Sequence, residues 1–251
     1  MTAESKQPGA EPVEMDWQEW HAQTVAERHA LFLQRTGFLF SPEAIAAFEA
    51  VDRADFLMGP QKPYSMNDRP HPISEDREPA NPMRAAARPV EEALRPELVV
   101  ATNSQPTLVA MMVEALRVRP GDKVLDIGSG SGWTATVLAH MASREGAVFG
   151  TELKSELARW ARDNFAQYGL ENVQLKHTGK LDCWADEGPF DAIMVAAAAK
   201  ELPKALTEQL AEGGRMAIPI GEELAFVSRR NGEVRIEGTL PEVRFVPLVT
   251  V

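Results

Sequence analysis

The chain predicts an α/β protein: a doubly wound, mostly parallel sheet with an antiparallel C-terminal hairpin, plus N-terminal helices. Three observations predict it. From Pro106 onward, short apolar runs alternate with helical patterns, the order that builds a parallel sheet with helices on both faces. The first such run, Val124–Ile127, ends in Gly128, Gly130 and Gly132 on alternate positions, and a helical stretch opens at Trp133. Further on, Asn231-Gly232 separates two strand-like runs, a strong signal for a two-residue hairpin turn.

Taken in order, residues 1–15 are polar, carry two prolines and read as a disordered tail. Residues 16–106 read as N-terminal helices and a long loop. Trp17 to Arg35 has apolar residues at helical spacing and stops before Gly37. Ser41-Pro42-Glu43 is an N-cap and first turn for a helix reaching about Val51. Residues 59–98 are rich in proline and alternating charge, an extended surface loop with a short helix over Arg84–Leu94. Residues 107–251 form the regular core. Its elements are a helix over Thr107–Leu116, strands at Val124–Ile127 and Ala147–Thr151, and a helix over Ser155–Tyr168 stopped by Gly169. Strands at Val173–Lys176 and Phe190–Ala196 follow, then a helix over Leu202–Leu210 and a strand at Arg215–Pro219. The hairpin arms Ala225–Arg230 and Val234–Leu240 and a last strand near Phe245–Val249 close the chain.

Composition narrows the function. The 251 residues are 44% hydrophobic, enough for one large core. The net charge of −11 repels phosphate backbones, so nucleic acid is not an expected partner. A single cysteine, Cys183, excludes an intrachain disulfide, and the five histidines show no ligand spacing, so no metal is expected. The longest apolar run, Ala192–Ala199, is too short to span a bilayer, and the N-terminal residues lack a signal-like apolar region. A cytoplasmic monomer with no membrane contact is the expectation.

The glycine turn carries the chemistry. A strand, a tight turn and a helix N-terminus bring a nucleotide-like ligand onto bare backbone. A dinucleotide fingerprint would need glycine where Trp133 stands. Alternate glycines preceded by Asp126 suit a cationic ligand without phosphate, such as S-adenosylmethionine. Asp126 either orients the turn or attracts the ligand's amino group. Glu152, 20 residues past Gly132 at a strand end, suits two ribose hydroxyls, or else is a helix N-terminal carboxylate. Methyl transfer to a carboxylate needs in-line placement more than a general base, because the acceptor is already ionised near neutral pH. Thr102-Asn103-Ser104 supplies hydroxyl and amide groups for that placement, or Ser104 merely caps the helix behind Pro106.

These segments resemble the protein-L-isoaspartate (D-aspartate) O-methyltransferase family, whose members have the Rossmann-like class I methyltransferase fold. The resemblance runs from about Ala26 to Val249. It rests on Ala47–Arg53, Tyr64–Ile73 with its Asp68-Arg69-Pro70, Thr102–Pro106, Val124–Gly132, Gly188–Val195, Gln209–Arg215 and Phe245–Leu248. The resemblance implies methylation of isoaspartyl carboxylates in damaged proteins or peptides by S-adenosylmethionine, leaving S-adenosylhomocysteine. It implies Ser104 as the catalytic serine and Asp68 and Thr102 as substrate contacts. It implies a cofactor site of Asn103, Asp126, Gly128, Ser129, Gly130, Gly132, Glu152, Leu153, Gly179 and Lys180. Where the family has an acid beside the adenine, this chain has Gly179 within Thr178-Gly179-Lys180. It also carries an insertion over about residues 75–99, on the substrate side. A related carboxyl methyltransferase with one dedicated peptide, and a non-catalytic cofactor-binding homologue, remain as alternatives.

Overall fold

The structure is a computed structural model that describes residues 23–74 and 101–250. The expected tail, the Arg84–Leu94 helix and the 75–99 insertion lie outside the described residues.

Two helices open the described chain. Helix α1 (Val25–Arg35) opens on a reciprocal capping box formed by Thr24 and Glu27, and residues 17–22 of the helix expected from Trp17 lie outside the described residues. Helix α2 (Pro42–Ala50) has Ser41 at its N-cap and Pro42 at its first position. A 3-10 turn at Arg53–Phe56 follows. The two-residue strands β1 (His71–Pro72) and β2 (Thr102–Asn103) pair antiparallel. They bring the Asp68 segment beside the Ser104 segment.

The core begins with α3 (Pro106–Leu116), β3 (Lys123–Ile127) and α4 (Trp133–Ala142). Then come β4 (Ala147–Glu152), α5 (Ser155–Gln167), β5 (Val173–His177) and β6 (Phe190–Val195). A single turn, α6 (Lys204–Thr207), leads to β7 (Leu210–Ile220), β8 (Glu223–Arg230) and β9 (Glu233–Leu240). The sheet order is β5-β4-β3-β6-β7-β8-β9. The first five of these strands are parallel, and β8 and β9 add antiparallel at the edge. Asn231 and Gly232 both have positive φ, as a two-residue hairpin turn requires.

Strand alternation divides the core. Val124, Val148, Ala192, Met194 and Ala217 face a cluster that buries helices α1 to α4 and the Ala161 and Phe165 side of α5. Leu125, Ile127, Phe149, Ile193 and Ile218 face a thinner layer made by Trp184, Leu206 and their neighbours. Two expected elements differ. The helix placed at Leu202–Leu210 is one turn, because Gln209 and Leu210 are drawn into the sheet: the Phe190 amide donates to the Gln209 carbonyl at 2.8 Å, and Leu210 pairs with Phe190. The expected strand near Phe245–Val249 makes a single parallel bridge, Ala198 to Pro247. Among the described residues no helix is long and apolar enough to cross a membrane.

Candidate active site

β3 runs to the strand-order reversal of a doubly wound sheet, with β4 on one side and β6 on the other. A crevice opens there, outside the carboxyl ends of the strands. Ile127, Gly128, Gly130, Thr151, Glu152, Thr178, Gly179 and Ala196 line it, with Thr102 on one wall and Val246–Leu248 on another.

The loop after β3 uses its amides internally. The amides of Gly128 and Ser129 both donate to the Thr151 carbonyl at 2.9 Å. The Gly130 amide donates to Glu152 Oε2 at 2.8 Å, and the Gly132 amide donates to the Ser129 carbonyl at 2.8 Å. A phosphate-binding turn aims such amides at its ligand; here four are already engaged. The loop therefore suits a ligand without phosphate.

Of the expected acids, Glu152 lines the crevice, whereas Asp126 is buried beneath the loop after β3 and, like Ser104 and Asp68, is not one of the lining residues. Glu152, at the end of β4, accepts from the Lys154 amide at 2.8 Å as well as from Gly130. Each oxygen keeps lone-pair capacity for a further donor. Burial pushes its carboxyl above the usual range, against the lowering effect of those amides. Asp126, one residue before the end of β3, is fully buried, and neither carboxylate oxygen has a hydrogen-bond partner. Burial pushes it up to about 7, the nearby Ser129 hydroxyl works against the rise, and the neighbouring Glu152 charge adds to it. A buried, unpartnered carboxylate is costly unless a cation or donor meets it. An acid at a ribose-binding strand end, an orphaned acid beside the turn and a phosphate-averse loop together fit S-adenosylmethionine, which brings hydroxyls and an ammonium.

The acceptor side is built from β1, β2 and the start of α3. Thr102 is exposed and lines the crevice, whereas Asn103 is buried on the opposite side of the strand. Asn103 Oδ1 accepts from Arg53 Nε at 2.9 Å, so the side chain expected at the cofactor is directed to Arg53. The Ser104 carbonyl accepts from Arg53 Nη2 at 2.9 Å. The Ser104 hydroxyl makes no hydrogen bond to a described residue, and Gln105, not Ser104, is the N-cap of α3. The capping role falls instead to Asp68. Its carboxylate accepts from the Thr107 amide at 2.9 Å, from Thr107 Oγ1 at 3.0 Å and from Gln105 Nε2 at 2.9 Å.

The structure thus brings Gly128, Gly130, Glu152, Leu153, Gly179 and Thr102 to one crevice. Ser129 is buried behind it, with its hydroxyl 3.4 Å from the Asp126 carbonyl. Gly132 starts α4 against Phe165 and Ala161. Lys180 is exposed, and its amide donates to Thr178 Oγ1 at 3.1 Å. Sequence reasoning missed Thr151, Ala196, Ala197 and the Val246–Val249 wall. The first three follow from position, as carboxyl ends of β4 and β6 at the switch point. The last depends on the Ala198 amide donating to the Val246 carbonyl at 2.7 Å and the Leu248 amide to the Ala198 carbonyl at 2.8 Å, contacts with no local signal.

A strand-order switch, a phosphate-averse glycine turn and an acid at the end of the next strand define an S-adenosylmethionine-dependent methyltransferase of class I. The sequence profile of the protein-L-isoaspartate(D-aspartate) O-methyltransferase family matches residues 27–251. The chain belongs to that family. It is 45% identical over 151 residues to the protein-L-isoaspartate O-methyltransferase of Yersinia enterocolitica, covering 59% of this chain and 71% of that one. The Yersinia pestis relative gives the same identity and coverage. A solved protein-L-isoaspartate O-methyltransferase superposes with a TM-score of 0.74 at 24% identity, over 89% of this chain and 65% of that one. A Plasmodium falciparum structure described under the same activity, in complex with S-adenosyl-L-homocysteine, gives 0.70 at 24% identity over 90% and 99% of the chains. These two structures share the fold.

Proposed function

We propose that the protein transfers the methyl group of S-adenosylmethionine to the free carboxylate of isoaspartyl residues in damaged proteins and peptides. The observation that carries the reading to the residue level is the Ser104 hydroxyl, which has no partner among the described residues and sits two residues from Thr102 on the crevice wall. Bound S-adenosylmethionine supplies an electrophilic methyl on a sulfonium. Glu152 holds the ribose hydroxyls through the lone pairs that Gly130 and Lys154 leave free. Asp126 meets the ligand's ammonium, which offsets the cost of its buried charge. Thr102 and Ser104 hold the acceptor carboxylate by donating to it, and that carboxylate needs no base. Rate then comes from placement, as expected for an in-line displacement between two held groups.

The test is transfer of labelled methyl from S-adenosylmethionine to an isoaspartyl peptide and to its aspartyl twin. Transfer to the isoaspartyl peptide alone supports repair chemistry. Tight cofactor binding with transfer to neither peptide overturns it and leaves a dedicated substrate or a binding role.

A further inference from the structure

Arg53 is the largest fully buried side chain of the described residues, 1% exposed. Its guanidinium donates to six oxygens. Nε meets Asn103 Oδ1 at 2.9 Å. Nη1 meets the Ser65 and Asn67 carbonyls at 2.8 and 3.2 Å. Nη2 meets the Arg69, Asn103 and Ser104 carbonyls at 3.0, 3.3 and 2.9 Å. All six are neutral. The group also lies 5.2 Å from the ring centroid of Trp133, the first residue of α4. Burial pushes it down to about 9, still charged at neutral pH.

The nearby Asp68 charge favours the cation but does not hydrogen-bond to it, and a buried cation with only neutral acceptors is a poor device for stability alone, since apolar side chains fill such space at lower cost. What the fork does supply is geometry. Its planar, fixed donors hold two separate segments at once: residues 65–69, which carry Asp68, and residues 103–104, which carry Ser104. The two stretches of chain are tied again just beyond these residues, where Asp68 accepts from Thr107 and where His71–Pro72 of β1 pair with Thr102–Asn103 of β2. Ser104 lies between these ties. Its backbone is pinned on one side while its hydroxyl stays unengaged.

We propose that Arg53 is a positioning residue for methyl transfer, fixing the Ser104 backbone so that its hydroxyl meets the acceptor at one distance. The inference rests on the acceptor role given to Ser104 above. Lysine keeps the charge but cannot reproduce a fork of donors. A misplacement on the order of 1 Å costs a positioned reaction about 100-fold.

The experiment compares wild type, Arg53→Lys and, as a milder disturbance of the same hub, Asn103→Ala. Calorimetry gives the S-adenosylmethionine Kd and the number of binding sites per chain, and initial rates on the isoaspartyl peptide give kcat per binding-competent site and KM. We expect Arg53→Lys to lower kcat per site by about 10- to 100-fold, with near wild-type cofactor affinity. Asn103→Ala shifts it the same way by less. A purely structural role would lower the number of binding sites and leave kcat per site unchanged, and that result in both variants overturns the inference while the methyltransferase reading stands. Absence of transfer by wild type overturns both.

Discussion

The Gly130 amide donates to Glu152 Oε2 at 2.8 Å, so the turn after β3 is latched to the acid at the end of β4. Glu152 Oε1 meanwhile accepts from the Lys154 amide at 2.8 Å. The carboxylate is held in one orientation before any ligand arrives. This matters for affinity, because a ligand met by prearranged acceptors loses less to ordering.

Glu152→Gln tests the latch with almost no change of shape. An amide presents one oxygen and one NH2 group, and the two backbone donors both require acceptors. Either Gly130 or Lys154 is therefore left facing a donor. Hydrogen bonds to charged groups contribute about 1.5–3 kcal/mol each. The S-adenosylmethionine Kd should rise by about 10- to 100-fold. Calorimetry checks this, and an unchanged Kd would remove Glu152 from the cofactor site.

Ser104→Ala separates acceptor placement from cofactor binding. The hydroxyl has no partner among the described residues and does not cap α3, so its removal leaves no group orphaned. Stability should stay within about 0.5 kcal/mol of wild type, with the cofactor Kd unchanged. Turnover on an isoaspartyl peptide should fall by about 10- to 100-fold, the loss expected when the acceptor is no longer held in line with the methyl group. Parallel thermal melts, calorimetry and rate measurements decide. Equal losses in affinity and rate would place Ser104 elsewhere in the mechanism.

What was legible in the sequence was what local pattern determines. Val124–Gly132 announces a strand, a turn and a helix within ten or so residues, and Glu152 follows at a strand end. The parallel order and the Asn231-Gly232 hairpin are equally local. Other features depend on partners far along the chain. Asn103 and Thr102 are neighbours of similar polarity, and which one faces the crevice is settled by Arg53, 50 residues away. Asp68 caps α3 from 39 residues upstream. The helix expected to reach Leu210 gives way to β7, because the edge of β6 offers Gln209 and Leu210 better pairing than a second helical turn does.

Groups shifted in opposite directions shape the pH dependence of stability: burial raises the Asp126 and Glu152 carboxyls and lowers the His29 imidazole. Asp126 ordinarily titrates at 3.8 and in the folded state at about 7. Between those values the folded state binds more protons than the unfolded one, so the Asp126 contribution falls as pH rises. His29, buried against Trp133, goes from 6.5 to about 4, mainly through burial and then the Arg53 charge. Between those values the unfolded state binds more protons, so the His29 contribution rises with pH. Between about pH 4 and 7, in the absence of cofactor, the slope of stability against pH should be more positive for Asp126→Asn than for wild type, and more negative for His29→Phe. Urea denaturation at several pH values checks both slopes, and parallel profiles for all three proteins would refute the assignment.

Two glycines of the turn should fail in different ways when replaced by alanine. Gly132 has φ +94°, and a Cβ there would lie 2.8 Å from Phe165 Cε1 and 3.2 Å from the Ala161 Cα. Backbone cannot yield as a side-chain tip can, and the φ is itself strained for an L residue. Gly132→Ala should therefore push α4 off α5 and cost about 2–3 kcal/mol by chemical denaturation. Gly130 has φ +56°, inside the small left-handed region that other residues enter at about 1 kcal/mol. Its Cβ would meet the Ile73 Cδ1 methyl at 3.0 Å, the movable end of a side chain that also lines the cofactor crevice. Gly130→Ala should thus keep most of its stability and lose cofactor affinity, because Ile73 is displaced into the space the ligand needs. If instead Gly130→Ala unfolds the protein and Gly132→Ala only weakens binding, the division of the turn into a packing glycine and a ligand-facing glycine is wrong.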